Sequence, residues 1–409
     1  MGLGYVGLPL AVVAAKAGFD VLGFDVDPRR VAELAAGRSP IEDVVDDEVV
    51  TMLATGSFSV TADPASLAGA EVVVIAVPTP LRDGEPDLRA VESAGRILSP
   101  HIRAGMTVVL ESTSYPGTTE QVLGPLLAES TGLVPGADFR FGFSPERIDP
   151  GNKEWHVSNT PKLVSGVDAK SRNAIEEFYS AFVKVVVPVS SVRDAEFAKI
   201  IENSFRSVNI SLVNELAMVA AELGLDIHSA LDAAATKPFG FMRFQPGPGV
   251  GGHCLPVDPR YLAHLSRSTA GKAIRTLELA GEVNEEMPGY VARRVVAGLA
   301  RSGTEVEGSR ILVLGAAYKP NSGDLRHSPA MTVAALLAEA GARIRVVDPH
   351  VDPGAVGFPL VRLDAGEAGK ADAVVLLTDH DAFDYSPLDA APYVFDTRGV
   401  LHGANVERL

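Results

Sequence analysis

The chain has 409 residues, 46% of them hydrophobic and 22% charged, a balance that fits two or three globular domains and excludes a disordered chain. The 52 acidic and 36 basic residues give a net charge of -16, which argues against nucleic acid or an anionic membrane as a partner. The single cysteine excludes an intrachain disulfide and fits a reducing cytosol. We also find no apolar run near the ~20 residues that span a bilayer and no secretory signal pattern. We therefore expect a cytoplasmic protein without membrane contact and without a metal site.

Short apolar, β-rich runs alternate with helical patterns in the first part of the chain, which predicts a mostly parallel, doubly wound sheet. The predicted strands are Val21–Asp25, Phe58–Thr61, Val72–Val77, Thr107–Leu110, Arg140–Phe143, Lys162–Ser165 and Val183–Val187. The pattern then changes to one long helix over Asp194–Leu223, a Gly/Pro-rich loop over Phe244–Pro259 and a second long helix over Lys272–Arg301.

Strand–helix alternation then resumes, with predicted strands at Arg310–Leu314, Arg343–Asp348, Ala373–Thr378 and Val394–Asp396. The predicted fold class is therefore α/β, with two Rossmann-like, doubly wound parallel-sheet domains joined by a long central helical region. The changes of pattern place the domain boundaries at 1–188, 189–302 and 303–409.

The chain opens with the run Gly2-Leu3-Gly4-Tyr5-Val6-Gly7, a G-x-G-x-x-G match. In a dinucleotide-binding unit these glycines allow a tight turn and a close approach of the backbone to pyrophosphate, which sits on the next helix, here Leu8–Ala17. Asp25 ends the following strand, where a carboxylate binds the adenosine ribose hydroxyls and favours NAD over NADP. The alternative is that Asp25 is only a turn residue at the strand end.

The glycine motif normally follows a buried central strand, and only Met1 precedes it here. Four or five buried aliphatic side chains in such a strand would contribute about 10 kcal/mol, which is comparable to the net stability of a domain. We expect the native protein to carry a strand of about six residues upstream of Met1. In-frame codons that encode no aliphatic run there would contradict this.

The segment from Pro246 to Asp258 surrounds the thiol of Cys254 with four glycines. Glycines let a backbone approach a ligand closely, and a cysteine thiolate is a natural nucleophile toward an aldehyde carbon. His253 is a possible thiolate partner, although neighbouring side chains on an extended loop usually diverge. The alternative is that Cys254 is an inert, small apolar residue.

Lys199 and Asn203 lie four residues apart in the first long helix and share one face, with Ser207 and Asn214 near the same stripe. A lysine there could act as an acid or base or hold an oxyanion. Neighbouring apolar residues, such as Phe197, suggest that both sides of the helix are partly buried. The alternative is an ordinary solvated helix face.

Taken in chain order, these motifs resemble the UDP-glucose/GDP-mannose dehydrogenase family over essentially the whole chain. Further motifs that carry the resemblance are Val77-Pro-Thr-Pro80, Glu111-Ser-Thr113, Ser144-Pro-Glu-Arg147, Gly251-Gly-His-Cys254, Gly315-Ala-Ala-Tyr-Lys319 and Asp324-Leu-Arg326-His-Ser328. The resemblance implies an N-terminal NAD-binding domain, a central dimerisation region with the cysteine loop, and a C-terminal UDP-binding domain. It also implies a four-electron oxidation of a nucleotide sugar at C6 by two NAD⁺, through a thiohemiacetal and a thioester on Cys254.

The resemblance further implies roles for individual residues. The implied catalytic residues are Cys254, Lys199, Asn203, Asp258, Glu146 and Thr113. The implied cofactor-binding residues are Gly2, Gly4, Tyr5, Val6, Gly7, Asp25, Arg30, Thr79, Glu111 and Arg326. The implied substrate-binding residues are Glu146, Arg147, Lys199, Asn203, Arg243, Gly251 and Lys319, with Arg243 reaching its substrate across a dimer interface. Plainer alternatives are turn chemistry for Thr79 and Thr113, surface carboxylates for Glu111 and Glu146, ion pairs of Lys319 and Arg326 with Asp324, and a helix start at Asp258.

Two departures from the UDP-glucose pattern bear on the substrate. The sequence after Ser144 runs Pro145-Glu-Arg-Ile-Asp-Pro-Gly-Asn152, and Val257 stands where a lysine is usual. Both resemble the UDP-N-acetylhexosamine branch, with UDP-N-acetylglucosamine as the favoured sugar and UDP-N-acetylmannosamine or UDP-glucose as alternatives. A two-electron dehydrogenase with an idle Cys254 and a truncated, inactive UDP-sugar-binding paralogue also stay open. The long middle helices indicate a homodimer or higher homo-oligomer.

Overall fold

A computed structural model describes residues 1–148, 152 and 154–409, and these form two compact units. The first unit contains Met1–Glu202 and Arg260–Gly271, and the second contains Asn203–Pro259 and Lys272–Leu409. Each unit is built on a five-stranded sheet that is largely or wholly parallel. The α/β fold class with Rossmann-like parallel sheets is therefore confirmed. The division into three parts stays a prediction.

The first unit alternates strands with helices, as its sequence pattern predicts. Its helices are α1 (Gly7–Lys16), α2 (Pro28–Ala35), α3 (Asp46–Thr55), α4 (Arg89–Leu98), α5 (Gly124–Ala128) and α6 (Ala169–Ser180). Its strands are β1 (Val21–Phe24), β2 (Phe58–Thr61), β3 (Val72–Ile75), β4 (Leu81–Arg82), β5 (Glu85–Pro86), β6 (Thr107–Leu110), β7 (Arg140–Phe143), β8 (Lys162–Gly166) and β9 (Val186–Pro188). Short helical turns cover Pro64–Gly69, Ser99–His101 and Thr118–Leu123.

Three sheets organise the first unit. The larger has the strand order β3-β6-β7-β8-β9 and is parallel except where β7 pairs with β8. Strands β1 and β2 form a separate parallel pair, and β4 with β5 forms a hairpin. The first two residues bond to two of these sheets, because Met1 N donates to Val74 O, Ala76 N donates to Met1 O and Gly2 N donates to Phe24 O.

Two long helices begin in one unit and end in the other. Helix α7 covers Val192–Glu222 and helix α9 covers Asp258–Ala270. The second unit otherwise contains helices α8 (Ile227–Ala235), α10 (Arg275–Arg301), α11 (Pro329–Glu339) and α12 (Ala365–Lys370), with a short turn at Ser386–Ala390. Its strands are β10 (Arg310–Leu314), β11 (Arg343–Val347), β12 (Ala373–Leu376), β13 (Val394–Asp396) and β14 (Val406–Arg408), in the all-parallel order β11-β10-β12-β13-β14.

Both units are stabilised by aliphatic cores on their sheets. In the second unit, one face of the sheet packs against the C-terminal half of α7, against α10 and against α11. Strand positions there are almost fully buried, in keeping with the near-continuous apolar runs of parallel strands. Among the described residues, no helix combines the length and apolarity needed to cross a membrane.

Most strand predictions match the structure within a residue or two, but three boundaries differ. The strand predicted from Val183 begins at Val186, because Val183 is buried and its N–H donates to Tyr179 O at the end of α6. The second long helix begins at Arg275 rather than Lys272. The end of the predicted Gly/Pro-rich loop is helical from Asp258 onward, as the plainer interpretation of Asp258 suggested.

Candidate active site

The opening glycines form a tight turn that only glycine can make at two positions. Gly2 has φ of +89°, and a Cβ there would lie 2.4 Å from Ala76 O. A Cβ on Gly7 would lie 1.9 Å from Gly2 O, so the first turn of α1 packs directly on the loop. A Cβ on Gly4 would meet no atom within 4 Å, which leaves open space at the N-terminus of α1. Tyr5 and Val6 complete the turn, and Val6 is the N-cap residue of α1.

This open space fits a dinucleotide. A helix N-terminus favours an anion, because its first backbone N–H groups and its dipole both point toward that end. A glycine with no neighbour at its Cβ position lets a pyrophosphate approach the backbone. The residues of this chain therefore fit NAD, with Gly2, Gly4 and Gly7 holding the pyrophosphate end.

Asp25 supports the turn through three hydrogen bonds. Its Oδ2 accepts hydrogen bonds from Leu3 N at 2.9 Å and from Arg30 Nη1 at 3.0 Å, while its Oδ1 accepts from Asp27 N at 2.9 Å. A carboxylate can accept about four hydrogen bonds, so one position is left for a ribose hydroxyl. The turn interpretation and the cofactor interpretation of Asp25 are thus compatible.

The second unit repeats this turn with a different outcome. Gly315 has φ of +81°, and a Cβ there would lie 2.4 Å from Thr378 O. Asp348 follows β11 as Asp25 follows β1, and it accepts hydrogen bonds from Ala316 N, Ala317 N, His350 N and His380 Nε2. Although burial acts to raise the pKa of Asp348, the hydrogen bond from His380 holds it below its ordinary value. Three of these hydrogen bonds are to Oδ2, so the buried His380 side chain adds to the backbone groups that tie Asp348 to its turn.

The loop after β10 carries the two predicted phosphate-binding cations. Arg326 forms an ion pair with Asp324, with Nη2 and Oδ2 2.6 Å apart, as the plainer alternative for this residue predicts. The Arg326 side chain is nevertheless 41% exposed. Lys319 is half-buried on the same loop. The ion pair orients the guanidinium and still leaves it accessible to an anion.

The loop that carries Thr113 is held by a buried glutamate that the sequence analysis missed. Thr113 is half-buried after β6, and the loop continues into the turn Thr118–Leu123. The Glu196 carboxylate on α7 accepts hydrogen bonds from Gly117 N at 2.6 Å, from Thr119 N at 2.8 Å and from Thr119 Oγ1 at 2.6 Å. Burial raises the pKa of Glu196 against these hydrogen bonds. The sequence offered one sign of this role, because Glu196 lies three residues before Lys199 and therefore on the same side of the helix.

Glu111 and Glu146 belong to one buried cluster and are not surface carboxylates. Glu111 is fully buried, and its Oε1 lies 2.6 Å from Lys162 Nζ and accepts a 2.6 Å hydrogen bond from Tyr179 OH. Glu146 Oε2 lies 3.6 Å from the same Lys162 Nζ. The predicted place of Glu111 beside the nicotinamide stays a prediction, and Lys162 and Tyr179 were not predicted.

Arg147, predicted to bind substrate, makes structural contacts in the first unit. Its Nη2 lies 2.7 Å from Glu202 Oε1, and its Nη1 donates to Pro161 O at 2.7 Å. These contacts attach the Ser-Pro-Glu-Arg segment to α7. The later motif residues Asp149, Pro150 and Gly151 lie outside the described residues.

Helix α7 buries a polar stripe and exposes an apolar one. The buried stripe contains Lys199, Asn203, Ser207, Ser211 and Asn214, each 7% exposed or less. The expectation that both sides of the helix are partly buried holds in part, because Ile200 is fully buried whereas Phe197, Ile201, Phe205, Leu212 and Leu216 are 42–50% exposed. The solvated-face alternative for Lys199 and Asn203 was also wrong.

The glycines of the cysteine loop are required by close packing inside the second unit. A Cβ on Gly251 would lie 2.5 Å from Tyr318 Cβ, and one on Gly252 would lie 2.8 Å from the Tyr318 ring. Gly252 also has φ of +78°, and its N–H donates to Arg326 O. The cysteine loop therefore packs directly against the loop that carries Lys319. This packing explains the two glycines, whereas the sequence analysis explained them by close approach to a ligand.

Cys254 occupies the turn that leads into α9. Its thiol is exposed, and its carbonyl oxygen accepts hydrogen bonds from Val257 N and Asp258 N. Asp258 is 4% exposed, and its Oδ2 accepts a 2.5 Å hydrogen bond from Asn203 Nδ2. The structure thus links three predicted residues, because Asp258 is bonded to Cys254 through its backbone N–H and to Asn203 through its carboxylate.

His253 does not fit the part of a cationic thiolate partner. Burial, together with the positive charges of Arg326 and His327, lowers the pKa of His253. The imidazole is therefore neutral at pH 7, whereas stabilising a thiolate by ion pairing requires imidazolium.

The remaining predicted residues lie apart from these contacts. Thr79 is 7% exposed in the loop after β3. Arg243 forms an ion pair with Asp232, with Nε and Oδ1 2.8 Å apart, and is one-third exposed.

Comparison with known proteins gives a consistent result. Models of the UDP-glucose/GDP-mannose dehydrogenase family match residues 1–183 as the NAD binding domain, 193–286 as the central domain and 312–403 as the UDP binding domain. The UDP-N-acetyl-D-mannosamine dehydrogenase of Pyrococcus horikoshii is 35% identical over 384 residues, covering 94% of this chain and 89% of the relative. The UDP-N-acetyl-D-glucosamine 6-dehydrogenase of Salmonella typhi is 35% identical over 388 residues, with the same coverage.

Solved structures agree with the sequence relatives. The structure of UDP-D-ManNAc dehydrogenase from Pyrococcus horikoshii superposes with a TM-score of 0.90 at 32% identity, covering 100% of this chain and 97% of that one. The fold and the glycine turn thus define an NAD-dependent dehydrogenase of nucleotide sugars. The chain belongs to the UDP-glucose/GDP-mannose dehydrogenase family, which confirms the resemblance and the NAD cofactor.

We predict that Glu196→Ala lowers the free energy of unfolding by about 1–3 kcal/mol, because two buried N–H groups and a hydroxyl lose their acceptor. Urea denaturation followed by circular dichroism measures this change. Glu215→Ala is the matched control, because Glu215 is exposed on the same helix and should change stability by no more than about 0.5 kcal/mol. Equal effects of the two substitutions would show that Glu196 does not hold the loop.

Proposed function

We propose that this protein oxidises the C6 primary alcohol of a UDP-N-acetylhexosamine to the uronic acid, with UDP-N-acetylglucosamine as the first choice of sugar. The alcohol, two NAD⁺ and one water give the uronate, two NADH and three protons. The observation that carries this proposal is the exposed Cys254 thiol on the turn into α9, four residues before the buried Asp258 that Asn203 holds.

Cys254 supplies the covalent chemistry that a second oxidation needs. An aldehyde carbon releases hydride readily only after a nucleophile has made it tetrahedral. The Cys254 sulfur forms a bond to this carbon, and the carbonyl electron pair moves to the oxygen. After the oxidation the carbon is a thioester, which water attacks so that the C–S bond breaks and the thiolate returns.

The buried polar residues of α7 stabilise the oxygen during these steps. Lys199 and Asn203 are one helical turn apart on the buried stripe, so their side chains present donors in the same direction. Donors held in place toward a developing oxyanion lower the barrier, because they need no reorganisation during the reaction. We assign proton transfer and water activation to Asp258, Thr113 and Glu146.

NAD⁺, when bound, supplies the hydride acceptor for each oxidation. The turn Gly2–Gly7 and Asp25 hold its pyrophosphate and adenosine ribose, and Arg30, Thr79, Glu111 and Arg326 are assigned to the rest of the cofactor. Lys319, Arg243, Arg147 and Gly251 are assigned to the UDP-sugar. Two of these basic groups, Arg326 and Arg243, are 41% and 32% exposed on a chain of net charge -16, so they offer local positive charge to the phosphates.

The choice of sugar rests on the segment after Ser144 and on Val257. Relatives named for N-acetylmannosamine and for N-acetylglucosamine are equally similar to this chain, at 35% identity. They therefore support the UDP-N-acetylhexosamine class without separating its two members. The configuration at C2 is left to the experiment.

We predict two NADH for each UDP-N-acetylglucosamine consumed when purified protein is mixed with NAD⁺ and a panel of UDP-sugars. The panel includes UDP-N-acetylmannosamine and UDP-glucose, and NADH absorbance with product mass measures the stoichiometry. One NADH per sugar would favour a two-electron dehydrogenase with an idle Cys254. Binding of UDP-sugar by calorimetry without any NADH would favour a non-enzymatic UDP-sugar-binding protein.

We predict that Cys254→Ser lowers the rate of uronate formation by at least about 10³-fold, because a serine hydroxyl is a far weaker nucleophile at neutral pH than a thiolate. Chromatography with mass detection of the uronate measures the rate. His253→Ala is the matched neighbour, and it should retain most activity because the imidazole is neutral. Wild-type rates in Cys254→Ser would refute the thioester route.

We also propose a homodimer or higher homo-oligomer formed through the apolar stripe of α7. This stripe of five large side chains recurs along one face of a helix and is 42–50% exposed, whereas exposed apolar side chains are usually scattered singly. A second copy of the same chain could cover it with an identical stripe.

We predict that Leu212→Glu with Leu216→Glu converts the assembly to a monomer of 42.9 kDa, because two charges would be buried in the interface. Light scattering after size exclusion measures the mass. Val400→Glu is the control, because Val400 is 41% exposed outside α7 and should leave the mass unchanged. A monomeric wild-type protein would contradict the proposal.

A further inference from the structure

The first unit contains a buried lysine that the proposed chemistry does not use. Lys162 is the first residue of β8 and is 4% exposed, and its N–H donates to Val185 O. Its Nζ lies 2.6 Å from Glu111 Oε1, 3.6 Å from Glu146 Oε2 and 5.1 Å from the centre of the Tyr179 ring. Among the described residues, these three are the ionisable groups that face Lys162, from the loops after β6 and β7 and from α6.

The charges in this cluster do not balance. Lys162 serves two carboxylates, and Glu111 is fully buried while the Glu146 side chain is 13% exposed. The amino group of Met1 also interacts with Glu111, but burial lowers its pKa to about 6, so it adds little positive charge at pH 7. Burial raises the pKa of Glu111 against the opposing effect of Lys162. Burial acts to lower the pKa of Lys162, but Glu111 and Glu146 hold it above its ordinary value. Lys162 is therefore charged, and the two acids compete for it.

The two oxygens of Glu146 have different surroundings. Its Oε1 accepts hydrogen bonds from the backbone N–H groups of Arg147 at 2.6 Å and Ile148 at 2.5 Å, which fix the carboxyl group in the loop. Its Oε2 is buried and accepts no hydrogen bond from the described residues, and Lys162 is its cationic neighbour. This second oxygen therefore shares its cationic neighbour, Lys162, with Glu111.

Tyr179 holds Glu111 in this competition. Its hydroxyl donates to Glu111 Oε1, the same oxygen that Lys162 approaches. Burial, with the negative charge of Glu111, raises the pKa of Tyr179 well above its ordinary value, so the hydroxyl stays a donor. Glu111 Oε1 is thus held between the Tyr179 hydroxyl and the Lys162 ammonium, and Glu111 competes with Glu146 for that cation.

We propose that Lys162 is a positioning residue for the reaction, which fixes Glu146 Oε2 and sets its protonation as a cation shared between Glu146 and Glu111. This inference rests on the proposed function, in which Glu146 contacts the sugar and transfers a proton. A purely structural Lys162 would serve only as the counter-ion of Glu111.

A matched set of variants distinguishes the positioning role of Lys162 from a purely structural role. Lys162→Met alone leaves Glu111 buried without a counter-ion and is expected to fold poorly. The double variant Lys162→Met/Glu111→Gln removes one charge of each sign, so it should recover the urea midpoint of the wild type. Glu111→Gln alone keeps the ammonium and removes the carboxylate that competes for it. Glu146 then has a stronger interaction with Lys162, whereas in the double variant it has none.

The expected kinetic result is a loss in kcat beyond the effect of the Glu111 substitution alone. The double variant should lose about tenfold in kcat relative to Glu111→Gln, which corresponds to a change of about one pKa unit in the proton-transfer group. Its KM for NAD⁺ should match that of Glu111→Gln, because both variants carry the same change at the residue assigned to the cofactor. The acid limb of its pH profile should move to higher pH, and that of Glu111→Gln should move to lower pH. A double variant that folds and matches the wild type in kcat and pH profile would overturn the proposal.

A second measurement does not depend on turnover. In protein labelled with ¹³C at the glutamate carboxyls, the Glu146 signal is assigned by its loss in Glu146→Gln. It should titrate at lower pH in Glu111→Gln than in the wild type, and at higher pH in the double variant. An unmoved titration in both variants would overturn the role of Lys162, whereas a wild type that oxidises no UDP-sugar would overturn the proposed function and leave this titration result standing.

Discussion

The structure depends on a single constraint, which is that a carboxylate removed from water must have its oxygens hydrogen-bonded or paired with a cation. Asp25, Asp348, Glu196, Asp258 and Glu111 are each buried, and each has at least one oxygen with such a partner. In three of them the partners include backbone N–H groups of a loop. The buried acids therefore fix the loops that carry the glycine turn, the Thr113 segment and the support of Cys254.

The same physical device gives different results in the two units. Asp25 and Asp348 stand at equivalent strand ends beside equivalent glycines, and each accepts a backbone N–H from the turn. The difference is His380, a buried side chain that adds a third hydrogen bond to Asp348 Oδ2, whereas Asp25 Oδ2 accepts two. Asp348 is thereby part of the framework of the loop that carries Lys319.

Much of the fold could be predicted from local sequence pattern, because parallel strands are near-continuous apolar runs and the glycine turn has a strict spacing. The strands Thr107–Leu110, Arg310–Leu314 and Val394–Asp396 were predicted with the bounds that the structure shows. The hairpin Leu81–Arg82 with Glu85–Pro86 was not, because two-residue strands have no periodicity to detect.

The candidate site was less accessible to sequence analysis. Cys254, Asp258 and Asn203 were identified by motif, but the hydrogen bond that joins the last two spans 55 residues and has no local sign. The face of α7 was misjudged, because its exposed stripe is apolar and its buried stripe polar, the reverse of the usual helix. Lys162 was predicted only as the first residue of a strand. The fold shows that its ammonium lies between the carboxylates of Glu111 and Glu146.

The central claim is that the sulfur of Cys254 becomes bonded to the sugar during turnover, and mass spectrometry of rapidly quenched protein tests it most directly. With NAD⁺ and UDP-N-acetylglucosamine present, the account predicts a peptide containing Cys254 that gains the mass of the uronyl group, and no such gain when NAD⁺ is omitted. Steady production of uronate with the Cys254 peptide unmodified at every quench time would contradict it.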